Sequence, residues 1–194
     1  AGRTAGDVAF EAGHQAVFDA LVGHAAAAVR REAAPGQEDS EEPVAKRRRA
    51  GQEAYLHEAL RYDEDRLLDE AGRGVMLGWE APLMRRHAEA LLPEPGARVL
   101  NIGFGLGLVD GFLQERRPHE HHIVEAHPDV LAELRRRGWA RRPGVAVHAG
   151  RWQDVLAAVP LASFDAVFFD TWQETYVELR AFIGQLPRLL RPGG

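Results

Sequence analysis

The chain of 194 residues contains no cysteine, so neither a disulfide framework nor a thiolate metal site can be built from it. That absence suits an intracellular chain, and the cytoplasm is the expected location. Long apolar runs are missing too: nothing approaches the roughly 18 consecutive apolar residues that span a membrane. The first residues also lack the basic, apolar and small-residue order of a secretory signal. Excess positive charge is the third absence. Lys and Arg number 24 against 29 Asp and Glu, a net charge of −5. This removes the basic footprint of a general nucleic-acid binder and favours attraction of a basic substrate. Direct nucleic-acid and membrane partners are therefore not expected.

What is present divides into three regions. Thr4 to about Ala33 reads as helical, with Val8, Ala12, Val17, Phe18, Leu21 and Val22 at helix-compatible spacings. Ala34 to Gly51 holds Pro35, Gly36, an acidic patch from Glu38 to Glu42 and the run Lys46-Arg47-Arg48-Arg49. Such a segment has little to bury and reads as a solvated linker. The basic run also fits a nuclear-import signal, which adds the nucleus as a second location. The third region, residues 52–194, begins at Tyr55 with helical patterning and then alternates. Arg98–Ile102, His121–Glu125, Val145–His148 and Phe164–Asp170 read as strands. Helices are expected over Leu106–Gln114, from Pro128 to Gly138, over Val155–Val159 and from Thr175 to Leu190. Alternation of this kind predicts a doubly wound, Rossmann-like α/β domain with a parallel sheet. A sheet ending on the apolar strand Ala166-Val-Phe-Phe169 would leave an aggregation-prone edge. Further strands are therefore expected after Pro192-Gly193-Gly194.

The segment Asn101-Ile-Gly-Phe-Gly-Leu-Gly107 lies where the first of these strands turns into a helix. Gly103 and Gly105 let the backbone turn sharply and approach a ligand closely. Glu125 falls at the end of the next strand, where an acid binds ribose hydroxyls. The dinucleotide fingerprint requires Gly or Ala three positions after its second glycine, and Leu108 stands there. No Gly-Lys-Ser/Thr follows, so a P-loop is also excluded. A nucleoside without phosphates, such as S-adenosylmethionine, fits better than NAD. The plainer reading is a glycine-rich turn with no ligand. After the third strand, Trp152 could stack on an adenine and Gln153 could bond its edge; Trp152 reads equally well as a core anchor.

Two further stretches, Val75-Met-Leu-Gly-Trp-Glu-Ala-Pro-Leu-Met84 and Phe168-Phe-Asp-Thr-Trp172, resemble motifs of the guanidinoacetate methyltransferase group. The nearer resemblance is to the ankyrin-containing protein arginine N5-methyltransferases of fungi and plants, called type IV. It takes in Tyr62-Asp-Glu-Asp-Arg-Leu-Leu-Asp-Glu-Ala-Gly72, the glycine loop, Val124-Glu-Ala-His-Pro-Asp-Val-Leu131, Gly150-Arg-Trp-Gln-Asp-Val-Leu156 and Leu186-Pro-Arg-Leu-Leu-Arg-Pro-Gly-Gly194. Gly2 to His14 resembles part of one ankyrin repeat, which gives residues 1–33 as an ankyrin-like fragment, 34–51 as linker and 52–194 as a class I methyltransferase domain. The resemblance implies methyl transfer from S-adenosylmethionine to the internal nitrogen of arginine in a protein, with ribosomal protein as the known target class. It carries cofactor contacts onto Gly103, Phe104, Gly105, Leu106, Gly107 and Leu108. Glu125, Ala126, His127, Trp152, Gln153 and Asp170 follow, as do Met84 and an N-terminal tyrosine, Tyr55 or Tyr62.

A guanidinium is planar, charged and a five-donor fork, matched best by carboxylates. Glu80 and Asp170 are the catalytic pair expected to grip it and leave the internal nitrogen free. Taken without the resemblance, Glu80 reads as a solvated acid at a helix start and Asp170 as a strand-end cap. His119, His121 and His122 read as surface and strand-start residues, and no metal site is expected. Met76 and Met84 read more simply as core filler. Three other functions compete: a small-molecule guanidino methyltransferase, a non-catalytic interaction module and an NAD-binding domain.

Overall fold

The computed structural model describes residues 53–172 and 176–194. The helical, ankyrin-like fragment expected over residues 1–33 and the linker with its basic run lie outside the described residues.

The first departure from expectation is immediate. Where helical patterning was read from Tyr55 onward, Arg61–Asp63 (β1), Arg66–Leu68 (β2) and Gly74–Leu77 (β3) form an antiparallel sheet in the order β1-β2-β3. Asp63, Glu64 and Asp65 form the hairpin turn, and Glu64 takes a φ of 51°, a conformation that breaks any helix there. Leu67 pairs with Met76 across β2 and β3, and both are buried. The second turn is closed by Asp69, whose carboxylate accepts the Arg73 backbone N–H at 2.8 Å and pairs with its guanidinium at 2.6 Å.

A 3-10 turn, Gly78–Glu80, leads into the helix Ala81–Leu91 (α1). Pro82 sits in its first turn, where its missing N–H leaves no helical bond unmade. The α/β unit then follows. Arg98–Ile102 (β4), Leu108–Glu115 (α2), Glu120–Glu125 (β5), Pro128–Arg136 (α3), Val145–Ala149 (β6), Trp152–Val155 (α4) and Ala166–Phe169 (β7) alternate as expected. The four strands are all parallel, in the order β6-β5-β4-β7. Two helices, Tyr176–Ile183 (α5) and Leu186–Leu189 (α6), follow.

Both faces of this sheet are covered, so β4 is buried along nearly its whole length and β5 carries the apolar pair Ile123 and Val124 beside buried histidines. On one face Leu100, Ile102 and Val124 pack with Trp152, Phe164, Phe182 and Leu189. On the other, Val99 lies among Met84, Ala88, Leu92, Val109 and Leu113 of α1 and α2, and Ile123 packs with Val130, Leu134 and Trp139. His121 and His122 are corrections to the surface reading: both are buried, while His119 alone stays exposed. His122 is tolerated inside beside Glu120 and His148, and His121 meets Gln114 through Nδ1 while its Nε2 lies near Asp110 without a hydrogen-bond partner.

Two helices differ in length from expectation. The third crossover helix is a single turn that relaxes through the 3-10 segment Leu156–Ala158, because Pro160 drives Val159 into an extended conformation. The last expected helix is split near Gly184, and Pro187 opens the second piece. Leu190 then pairs in parallel with Phe164, beside the approach to β7.

Candidate active site

From β4 the chain steps outward to β5 and β6, then returns to place β7 on the other side of β4. A parallel sheet opens a crevice at the carboxyl ends of its strands where the winding reverses. A cleft opens there, walled by the loop after β4, the ends of β5 and β7, and the turn after β3.

The glycine loop is built by close approach. Gly103 has a φ of 95°, and a β-carbon there would lie 2.0 Å from the Asp170 carbonyl oxygen. Its N–H donates to the Val124 carbonyl at 2.8 Å. One residue without a side chain thus lets the ends of β4, β5 and β7 meet. Gly107 ends the loop as the left-handed N-cap of α2, with the Phe104 ring folded over it. From the antiparallel sheet, Tyr62 donates its hydroxyl to the Gly105 carbonyl at 3.2 Å, and Met76 packs against Gly105.

Glu125, at the end of β5, is buried with both oxygens engaged. Oε2 accepts the Phe104 N–H at 2.9 Å, and Oε1 accepts the N–H groups of Ala126 and His127, both at 2.7 Å. Burial pushes its carboxyl above the usual carboxylate range, while these backbone donors pull the other way. His127 is buried beside it and bonds the Tyr55 carbonyl through Nε2 at 3.0 Å, which draws Tyr55 into the cleft wall. The Tyr55 phenol is pushed upward by burial and then by Glu125, and so stays protonated as a donor.

Glu80 and Asp170 reach the same cleft from opposite sides. Glu80 sits at the junction of the 3-10 turn and α1, held by an Oε1 hydrogen bond from the Leu77 N–H at 2.8 Å. Asp170 follows β7, its N–H donating to the Ile102 carbonyl at 3.0 Å. Burial, and then the nearby charge of Glu80, push the Asp170 carboxyl above its ordinary range. Beyond it, Thr171 Oγ1 and Trp172 Nε1 are buried polar atoms without a hydrogen-bond partner in the cleft wall. Glu80, Glu125 and Asp170 face the single guanidinium of Arg151 among the described lining residues. Such a cleft disfavours a pyrophosphate and suits a cationic ligand.

Other expected site residues divide. Phe104, Ala126, His127, Trp152 and Gln153 stand in the wall with the glycines at 103 and 105. Trp152 also meets the core edge-on, 5.2 Å from Phe182 and 6.4 Å from Phe169 between ring centres. Five expected cofactor residues lie behind the wall. Tyr62 backs the glycine loop with Arg137 over its ring. Met84 is buried between α1 and the sheet. Leu106 and Leu108 point into the core, and Gly107 is covered by Phe104. Tyr55, the other tyrosine considered, lines the cleft, and so does Met76. The pairing of Leu67 with Met76 carries the signal that could have found Met76, but it becomes readable only once the hairpin is recognised.

Residues 46–194 match the family described as guanidinoacetate N-methyltransferase. The chain belongs to that family. Among curated relatives of this guanidinoacetate N-methyltransferase family chain is protein arginine N-methyltransferase 2 of Aspergillus fumigatus, 52% identical over 133 residues, covering 68% of this chain and 31% of that protein. The protein of the same name from Emericella nidulans is 47% identical over 152 residues, covering 77% of this chain and 34% of its own length. The chain therefore spans about a third of the length of these relatives. Among solved structures, an S-adenosylmethionine-dependent methyltransferase from Mesorhizobium loti aligns with a TM-score of 0.46 at 23% identity, over 59% of this chain and 49% of that one.

Proposed function

We propose that this chain binds S-adenosylmethionine in the cleft and transfers its methyl group to the internal guanidino nitrogen of an arginine in a protein. The substrate class to which the resemblance points is ribosomal protein. One observation carries the reading: Glu80 and Asp170 converge on a cleft whose other wall is the glycine loop and Glu125. The names of the fungal relatives support an arginine acceptor.

The fit to the cofactor rests on the acidic wall and on the buried, unpartnered Thr171 Oγ1 and Trp172 Nε1 beside it. S-adenosylmethionine, when bound, supplies a methyl group already activated on a sulfonium. Glu125 accepts hydrogen bonds from the ribose hydroxyls, and the backbone donors it already holds fix its orientation. Glu80 and Asp170 accept N–H bonds from the terminal nitrogens of the guanidinium. This leaves the internal nitrogen uncommitted and draws positive charge away from it. Positioning of this kind can supply roughly 7–11 kcal/mol of the barrier. Asp170, whose carboxyl is pushed upward, takes the proton that the methylated nitrogen gives up at its carboxylate oxygen.

The family's own description favours a second reading, a free guanidino acid as acceptor. The deciding experiment offers labelled S-adenosylmethionine with an arginine-bearing ribosomal protein and, separately, with guanidinoacetate. Label on the internal arginine nitrogen, located by fragment masses and lost in Asp170→Asn, supports the proposal. Label on guanidinoacetate alone selects the second reading. S-adenosylhomocysteine binding without any transfer would point to a non-catalytic module.

A further inference from the structure

Behind the glycine loop lies a polar group that neither the cleft nor the core requires. Asn101, Asp110 and His121 are each fully buried, on β4, α2 and β5 respectively. Asn101 Nδ2 donates to the Gly103 carbonyl at 2.7 Å and to Asp110 Oδ1 at 2.8 Å. Both amide hydrogens are thereby committed. Gln114 Nε2 lies 3.0 Å from His121 Nδ1, and His121 Nε2 lies 3.1 Å from Asp110 Oδ1 without a hydrogen bond between them.

The contact to Gly103 matters because of the peptide it holds. The Gly103 carbonyl and the Phe104 N–H belong to one planar unit. Asn101 grips its oxygen end, and Glu125 Oε2 accepts from its nitrogen end at 2.9 Å. A rotation of that peptide would move the Glu125 carboxylate with it. We infer that Asn101 and Asp110 are positioning residues that lock the Gly103–Phe104 peptide and thereby orient Glu125 toward the ribose. The role of Glu125 in this statement rests on the cofactor reading given above; the locking of the peptide does not.

The test is a double-mutant cycle on S-adenosylhomocysteine affinity, read with amide hydrogen exchange in the ligand-free chain. Asn101→Leu and Glu125→Gln should each weaken binding about tenfold. Residues acting through one another are not additive. The double variant should therefore fall well short of the roughly hundredfold loss of independent sites. Exchange at the Phe104 amide should accelerate about tenfold or more in Asn101→Leu, while Ile123 and Val124 in the sheet stay protected. Asp110→Leu should behave like Asn101→Leu, and Asp110→Asn, which keeps an acceptor oxygen, should remain near the parent. Should the leucine variants not fold, Asn101→Ser removes both contacts with less disturbance.

A hundredfold additive loss overturns the coupling to Glu125, and unchanged Phe104 exchange overturns the lock itself. If the parent chain fails to bind S-adenosylhomocysteine, the cofactor reading falls. The exchange result then still decides whether the lock exists.

Discussion

Replacing Gly103 by alanine would set a β-carbon 2.0 Å from the Asp170 carbonyl oxygen. The two must part by about 1.4 Å, the gap to the 3.4 Å at which ordinary contact begins, and overpacking of this kind costs about 1–3 kcal/mol. The residue also keeps a φ of 95°, which disfavours a side chain by roughly 1–2 kcal/mol. Gly96 provides the control. Its φ is 88°, yet nothing lies within 4 Å of the corresponding β-carbon. Gly96→Ala should therefore show the conformational cost alone, about 1–2 kcal/mol. Gly103→Ala should lose about 2–5 kcal/mol in all, because contact and conformation add. Thermal unfolding should separate the two variants by several degrees, since 1 kcal/mol moves the midpoint about 2–4 °C in a chain of this size. Methyl transfer should diverge further. Displacing Asp170 by about 1 Å can lose roughly a hundredfold in rate, whereas Gly96→Ala leaves turnover at the parent level. Equal stability losses in the two variants, or undiminished turnover in Gly103→Ala, would refute the close-approach argument.

Three further outcomes are expected. Asp170→Asn should stabilise the fold at neutral pH by roughly 1 kcal/mol while abolishing transfer. A carboxyl raised by burial and by Glu80 contributes stability below its unfolded pKa and loses it as pH rises through the folded one. The gain should therefore shrink on acidification in denaturant titrations. His122 and His148 are both pushed down from 6.5 by burial, so their contribution is present above that pH and lost as pH falls through the folded values. Stability should thus decline between about pH 7 and 5, and His148→Gln should flatten the decline; an unchanged slope counts against the pair. Met76→Ala and Met84→Ala should each lose about 2–5 kcal/mol as core truncations. Calorimetry should find S-adenosylhomocysteine binding weakened only in the first, which walls the cleft.

The parallel sheet was legible because short apolar stretches, Val99-Leu100 and Ile102 in β4, Ile123-Val124 in β5 and Ala166–Phe169 in β7, alternate with helical patterning. Glycines and an acid at fixed offsets from those strands made the loop and Glu125 legible as well. The antiparallel sheet was not. Its strands are three or four residues long, too short for a period of two to stand out, and the acids of its turn resemble a charged helix face. Of the two tyrosines the sequence offered, Tyr55 lines the cleft and Tyr62 backs the loop, and Met76 reaches the cleft from a strand that was read as helix. Burial of His121 depends on partners in α2, which no spacing within β5 reveals. Trp152 belonged to both of its readings at once, core anchor and cleft wall. The meeting of Glu80 with Asp170 is tertiary, joining segments ninety residues apart in sequence.

The antiparallel sheet has a consequence for the order of events at the site. It bears on the glycine loop through Tyr62 and Met76, and the turn that leaves it carries Glu80. On the proposed function, the piece that backs the nucleoside side of the cleft therefore also delivers half of the guanidinium grip. A shift of this piece against the loop would move the Tyr62 contact and Glu80 together. Cofactor and acceptor would then raise one another's affinity by a common factor, as linkage requires.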